Sequence, residues 1–269
     1  MTTTTHAFDT AISLTDNGIG QYTGQTTPEF ANMVGPFGGV TAAAIVRAIE
    51  SHPERLGEPV ALTVNYLAPV NDGAFDVVVR PVRTNRTNQH WTAEVIQEHG
   101  VTTTATAVFG IRRDAWSDTQ AAMPAAPEPE SLADTTFAGP VPWMRNYDMY
   151  YVDGAVPAEA GESASSTTIL WVRQNPARGL DFAALTALSD VFYPRVFLRR
   201  GRMLPAGTIS LTTYFHADGA ELAAQGTDYV LATAHAQRFA RGYFDQSAQI
   251  WGRHGALLAT SHQIVYYKD

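Results

Sequence analysis

"ALTVNYLA" (61–68) returns 149 residues later as "SLTTYFHA" (210–217). A second pair, "EHGVTTTATAVF" (98–109) and "RHGALLATSHQI" (253–264), lies 155 residues apart. The matches keep their order and fall on the same kind of element. That argues for two copies of one unit. Each stretch is rich in β-branched and aromatic residues, the composition of strands.

Working outward from the first copy, "AISLTDNGIGQYTG" (11–24) reads as a hairpin turning at Asp16-Asn17-Gly18. "FGGVTAAAIVRAIESHP" (37–53) reads as a helix, opened by Gly38 and Gly39 and closed by Pro53. Strands are predicted over 60–68, 74–83, 89–98 and 101–112, separated by turn residues such as Asn71-Asp72-Gly73. The second copy repeats the plan: a strand over 165–174, a helix over 180–198 with Asp181 placed to cap it, then strands over 207–217, 228–239, 241–251 and 256–267. Between the copies, residues 114–142 are rich in Ala, Pro and acids without a period, as in a linker. The expected division is 1–113, a linker over 114–142, and 143–269. One long helix followed by a meander of strands predicts an α+β unit whose antiparallel sheet wraps around a largely apolar helix.

The chain has 269 residues, near the limit for one core, which fits two packed halves. A formal charge of -8, from 18 basic and 26 acidic residues, argues against nucleic-acid binding. With no cysteine there is no disulfide, thiolate metal site or cysteine nucleophile, and a reducing cytoplasm is the expected location. The N-terminus has no visible signal peptide, and no apolar run is long enough to cross a membrane. The eight histidines show no metal-ligand spacing, so no metal and no cofactor are expected. No G-x-S-x-G elbow is present to support a serine hydrolase.

One residue breaks the apolar pattern of the second helix. In "TALSDVFYP" (186–194), Asp190 stands among Ala, Leu, Val and Phe, with Pro194 four residues on. Pro194 has no N–H for the Asp190 carbonyl, so the helix is expected to kink or end there. Helical spacing leaves two readings open: a solvent-facing or capping acid, or a poised acid or base in a cleft.

The order of these motifs resembles the acyl-CoA thioesterase II family, the tandem or double-hotdog thioesterases. "PFGGVTAAAIVRAI" followed by "VNYLAPV" is similar to the family's helix start and next strand. "LWVRQ" is similar to a tryptophan–arginine strand of many members. The resemblance spans nearly the whole chain and is weak over 114–160. It implies a double-hotdog fold and hydrolysis of acyl-CoA to free acid and coenzyme A. "ALSDVFYP" places Asp190 at the family's aspartate, "GTISLTTYFH" places Thr208 at its threonine, and "LLATSHQIV" places Gln263 at its glutamine. These three would orient and activate a water, although Thr208 and Gln263 each also read as ordinary strand residues, and the neighbours of Gln263 leave its register open by one residue. The start of the first helix, at Gly38 and Gly39, is the expected oxyanion and substrate site, with tight helix packing as the other explanation. "RVFLRRGR" supplies Arg195, Arg199, Arg200 and Arg202, of which Arg199, Arg200 and Arg202 are expected to hold the coenzyme A phosphates unless they serve only solubility. The first helix has no acid before Glu50, so one working site per chain is expected. A homodimer or larger homo-oligomer is implied. Two rivals remain: an enoyl-thioester hydratase-like enzyme using His216 and Asp218 of "YFHAD" (214–218), and a non-catalytic acyl-CoA-binding protein.

Overall fold

The computed structural model describes residues 5–135, 141–155 and 161–269. Residues 136–140 of the expected linker, residues 1–4 of the first half and residues 156–160 of the second lie outside the described residues. The described elements run α1 (Ala7–Ala11), β1 (Thr15–Gly18), β2 (Gln21–Gln25), α2 (Gly38–Glu50), β3 (Glu58–Tyr66), β4 (Ala74–Thr84), β5 (Asn88–Gln97) and β6 (Gly100–Gly110). They continue with β7 (Tyr147–Asp153), β8 (Thr168–Gln174), α3 (Phe182–Leu188), α4 (Arg195–Arg200), β9 (Ala206–Phe215), α5 (Gly219–Gln225), β10 (Val230–His235), β11 (Phe239–Ala240), β12 (Tyr243–Trp251) and β13 (Leu257–Tyr267).

These strands form one sheet in the order β1-β2-β4-β5-β6-β3-β9-β13-β12-β10-β8-β7, with β11 paired to β12. Every pairing in it is antiparallel. The halves of the chain meet where β3 pairs with β9, and the pairing places Thr63 opposite Thr212. Their hydroxyl oxygens lie 3.0 Å apart. These two threonines hold the same place in the repeated octapeptides, 149 residues apart. β3 and β9 also carry matching irregularities: each skips one residue, Val60 against β6 and Ile209 against β13.

Helix α2 is built of Gly, Ala, Val and Ile and is buried at ten positions from Gly39 to Ile49. Burial on all sides is what a helix between a sheet and a second helix requires. Accordingly α2 packs on α3, β3 and β4. Its fully buried Ile45 and Ile49 each contribute about 1.5–3 kcal/mol relative to exposure. Alternate residues of the strands face this core; along β5, for instance, Gln89, Trp91, Ala93 and Val95 are buried and the residues between them are not.

Four sequence expectations need correction. The predicted helix over 180–198 is two helices, because the chain leaves helical geometry after Leu188 and restarts at Arg195 with Pro194 as N-cap. The first hairpin turns at Ile19-Gly20, since Asp16 pairs with Tyr22 and Gly18 with Gln21. The strand predicted over 228–239 ends at His235. Finally, α1, β7 and α5 were not expected; α5 is opened by a capping box of Asp218 and Glu221. In the stretch read as a linker, Met123, Ala126 and Leu132 pack on a second cluster of Trp171, Tyr229, Leu231 and Trp251. The Trp171 indole N–H donates to Pro127 O at 2.8 Å. No described helix is long and apolar enough to cross a membrane.

Candidate active site

The site begins where α3 stops. Asp181 caps its start, accepting from the Ala184 N–H at 2.8 Å. At its end the Ser189 hydroxyl turns back to Leu185 O at 3.1 Å, a bond that competes with continued helix. The freed Ser189 carbonyl is taken by β13, from the Ser261 hydroxyl at 3.2 Å and the Gln263 amide at 3.5 Å. Asp190 therefore stands in the turn after α3, anchored to the sheet, not on a helical face.

Three polar side chains join there. Gln263 Nε2 donates to Asp190 Oδ1 at 2.9 Å. The Thr208 hydroxyl donates to Gln263 Oε1 at 3.0 Å. Asp190, Thr208 and Gln263 all line one cavity of about 490 Å³. Its walls include Phe37, Trp143, Phe192, Tyr193 and Phe197, with Met33, Met144 and Met203 beside them. The Phe37 and Trp143 rings stack with centroids 4.2 Å apart. A largely apolar pocket with a few convergent polar groups is the usual form of a small-molecule site.

Asp190 keeps some accessible surface because it borders the cavity, yet protein atoms surround its carboxyl. Burial pushes the group up to about 7 from 3.8, while the hydrogen bonds from Gln263 and the Gly39 N–H pull it down. The start of α2 thus faces the acid, where its N–H groups and positive end favour the carboxylate. Contact is close: a Cβ on Gly38 would lie 2.8 Å from Asp190 Oδ2, and one on Gly39 would lie 2.7 Å from Ala187 O. Tyr66 fixes the same corner by donating to Gly38 O at 2.9 Å. Burial and the Asp190 charge raise the Tyr66 hydroxyl well above its ordinary value, so it stays a neutral donor.

The other expected site residues do not line the cavity. Gly38 and Gly39 approach Asp190 and α3, and neither lines the cavity. Arg199 donates to Ala164 O. Arg200 pairs with Glu162 at 3.3 Å and Asp269 at 3.2 Å, and Arg202 pairs with Asp269 at 2.5 Å. None of these three lines the cavity, but Met203, next to Arg202, does. Arg195 is not part of a surface cluster: it is fully buried and donates to Tyr193 O, Ser166 O and Thr168 Oγ1. His216 bonds Thr260 Oγ1 at 3.0 Å and Asp218 caps α5, so both are engaged outside the cavity. Sequence reasoning missed Tyr66, Ser189, Ser261, Gln246 and the aromatic wall. Their residue types are ordinary for strands and turns, and only the tertiary approach of α2, α3 and β13 gives them a role.

Residues 117–267 match the family profile of the acyl-CoA thioesterase C-terminal domain, and residues 27–110 match that of the N-terminal domain. Among solved structures, the chain is similar to a conserved protein of unknown function with a hot dog fold from Alicyclobacillus acidocaldarius. The identity is 47%, 99% of each chain is covered, and the TM-score is 0.94. The fold is shared at lower identity with a tesB protein of Mycobacterium avium subs paratuberculosis, at 19% identity over 97% of this chain and 98% of that one, TM-score 0.78. It is shared likewise with an acyl-CoA thioesterase II of Mycobacterium marinum, at 18% identity over 97% and 98%, TM-score 0.74. No curated protein matches the chain. With both domain profiles matched in order over most of its length, the chain belongs to the acyl-CoA thioesterase family, a family of hotdog-fold thioester hydrolases.

Proposed function

We propose that the chain hydrolyses acyl-CoA thioesters with a water held by Asp190, Gln263 and Thr208. The observation that carries this reading is the continuous chain of hydrogen bonds from Thr208 through Gln263 to Asp190 on the wall of one largely apolar cavity. The Asp190 carboxylate takes a proton as the water attacks the thioester carbonyl. The carbon–sulfur bond then breaks, and the proton passes from Asp190 to the leaving thiolate. A base titrating near 7 is suited to neutral pH, since it is ionised enough to accept the proton and basic enough to hold it. Gln263 fixes the direction of the carboxylate, and Thr208 fixes Gln263. The Thr208 oxygen keeps acceptor capacity for the water. The Gly39 N–H is engaged with Asp190, which assigns the start of α2 to the base rather than to the developing oxyanion.

We read the chain as two hotdog repeats, each an antiparallel sheet around a helix, divided at 1–113 and 143–269. Support comes from the shared bulge positions and the Thr63–Thr212 contact. The β3 and β9 registers equate Thr208 with Pro59 and Gln263 with Ala107. The first repeat thus lacks both the hydroxyl and the amide, which supports one working site per chain. This equivalence spans 156 residues between β6 and β13, one more than the ungapped sequence match. Arg200 and Arg202 would hold the coenzyme A phosphates by exchanging their carboxylate partners for phosphate, and Arg199 by exchanging the Ala164 carbonyl. Exposed Tyr214, Ile264 and Tyr266 support a homo-oligomer. The lack of cysteine supports a cytoplasmic location.

The test is release of free coenzyme A from a panel of acyl-CoA substrates, followed with a thiol reagent. Wild type should turn over and Asp190→Asn, still folded, should not. Binding without turnover by wild type would instead mark an acyl-CoA-binding protein.

A further inference from the structure

Gln246 lies on β12, one strand beyond Gln263, and the two residues are direct cross-strand partners. Both are buried, Gln246 at 2% exposure and Gln263 at 5%, and both line the cavity. Their amides differ in one respect. Gln263 is bonded to Thr208, Asp190 and Ser189. The Gln246 amide has no hydrogen-bond partner among the described residues. A buried amide carries two donors and an acceptor with two lone pairs, and leaving them unpaired is costly. In a binding cavity the missing partner is the ligand or the water that the ligand displaces.

The position of Gln246 says which part of the ligand. Neighbouring strands are about 4.8 Å apart, so its amide is reached within two or three carbon–carbon bonds of about 1.5 Å from the reacting carbonyl beside Gln263. Helix α4 packs on β12, and Phe197 of α4 lines the same cavity with Phe192 and Tyr193. The acyl chain leaving the carbonyl therefore passes an isolated amide set in an aromatic wall. A plain alkyl chain there would strip water from Gln246 and return nothing. A hydroxyl group, which both donates and accepts, would restore both its donor and its acceptor bonds, and a carbonyl would accept from its N–H.

We propose that Gln246 is a specificity-determining residue that selects acyl groups carrying a hydrogen-bonding substituent near the carbonyl, at C3 in the simplest case. This rests on the thioesterase reading above and adds the substrate class. A site built to hydrogen-bond a substrate group rejects the analogue lacking it more strongly than an apolar pocket rejects an added methylene.

The test compares butanoyl-CoA with 3-hydroxybutanoyl-CoA on wild type, Gln246→Leu and Gln246→Ala, with thermal melts to establish folding. Wild type is expected to favour the hydroxylated substrate at least about 10-fold in kcat/KM. Either folded variant should bring that ratio to about one or reverse it, because the alkyl chain gains an apolar neighbour. An unchanged ratio, or an equal loss on both substrates, overturns the assignment, since the amide would then act on the shared thioester or on folding. A wild-type ratio of one with turnover abolished by Asp190→Asn overturns the substrate class alone. No turnover of any acyl-CoA overturns both readings.

Discussion

Thr208 reaches Gln263, 3.0 Å from hydroxyl to amide oxygen, because β9 carries one residue more than β13 between their paired positions. Ser210 pairs with Ile264 and Thr208 with Val265, so Ile209 bulges out of the ladder. Side chains alternate faces along a strand, and the extra residue turns Thr208 to the buried face that Gln263 and Val265 occupy. Deleting Ile209 would leave Thr208 opposite Val265 in a regular ladder, still on the buried face, so turnover should persist, whereas Thr208→Val should reduce it strongly. The Thr208→Val loss should be about 100-fold in kcat with a small change in KM, the signature of a group needed for reaction more than for binding. Steady-state kinetics on one acyl-CoA decides; a Thr208→Val variant with near wild-type kcat would show that the hydroxyl is not needed for the reaction.

That bulge also marks the limit of what the residues alone display. The strands are legible because β-branched runs are local signals. So is the oddity of Asp190, an acid in an apolar run. The spacing of matching register positions in β6 and β13 is not, since it is 156 residues where the ungapped sequence match is 155, a difference that leaves the local match undisturbed. The split of α3 from α4 was half visible: Pro194 announced a break, but the stop at Leu188 is set by Ser189 bonding back to Leu185 and outward to β13. Arg195 reads like its exposed neighbours until α4 folds it under Tyr193.

The proposed mechanism fixes a pH dependence. In it the Asp190 carboxylate is the active form, and burial holds the group at about 7. We expect log kcat/KM to rise with unit slope on the acid side and to level above about pH 7, reporting the free enzyme. Initial rates at saturating thiol reagent between about pH 5.5 and 8.5 test this. A flat profile across that range would remove Asp190 as the base.

The same shift has a consequence for stability, of opposite benefit. The folded pKa is raised above the unfolded value of about 3.9, so the native state resists ionisation. The penalty is absent below about pH 4, grows between about pH 4 and 7, and is constant above, with an upper bound of about 4 kcal/mol for a shift of about 3 units. Asp190→Asn removes the ionisation and keeps an acceptor for the Gln263 amide. It should melt above wild type, by more at pH 8 than at pH 5. Equal gains at both pH values would mean that the acid is not desolvated.

Gly38 and Gly39 should fail differently when a methyl is added. At Gly38 the new Cβ meets Asp190 Oδ2 at 2.8 Å and the Tyr66 hydroxyl at 3.2 Å, so the Asp190 carboxyl must move. At Gly39 it meets Ala187 O at 2.7 Å and the Phe37 ring at 2.6 Å, so the helices must part. Gly38→Ala is expected to lower kcat by about 10-fold or more with a modest change in melting temperature. Gly39→Ala is expected to cost about 1–3 kcal/mol in stability, as overpacking between elements does. Urea unfolding and kinetics on both variants separate the two; identical profiles would show that neither contact is specific.

Arg195 offers a final test of how the cavity wall is held. Its guanidinium is fully buried and lies over the Tyr193 ring at 4.3 Å from the centroid. It also donates to Tyr193 O at 3.1 Å through Nε, and to Ser166 O and Thr168 Oγ1. Burial lowers the group to about 10, so it remains charged at neutral pH. Because a charge is spent here on neutral acceptors, the fork geometry of arginine is what satisfies them together, and lysine cannot reproduce it. Arg195→Met strands these acceptors and should destabilise the fold by about 2–4 kcal/mol, with Arg195→Lys recovering less than half. Tyr193 and Phe192 line the cavity, so KM should rise in both variants more than kcat falls. Urea midpoints within about 0.5 kcal/mol of wild type for Arg195→Met would show that the wall stands without it.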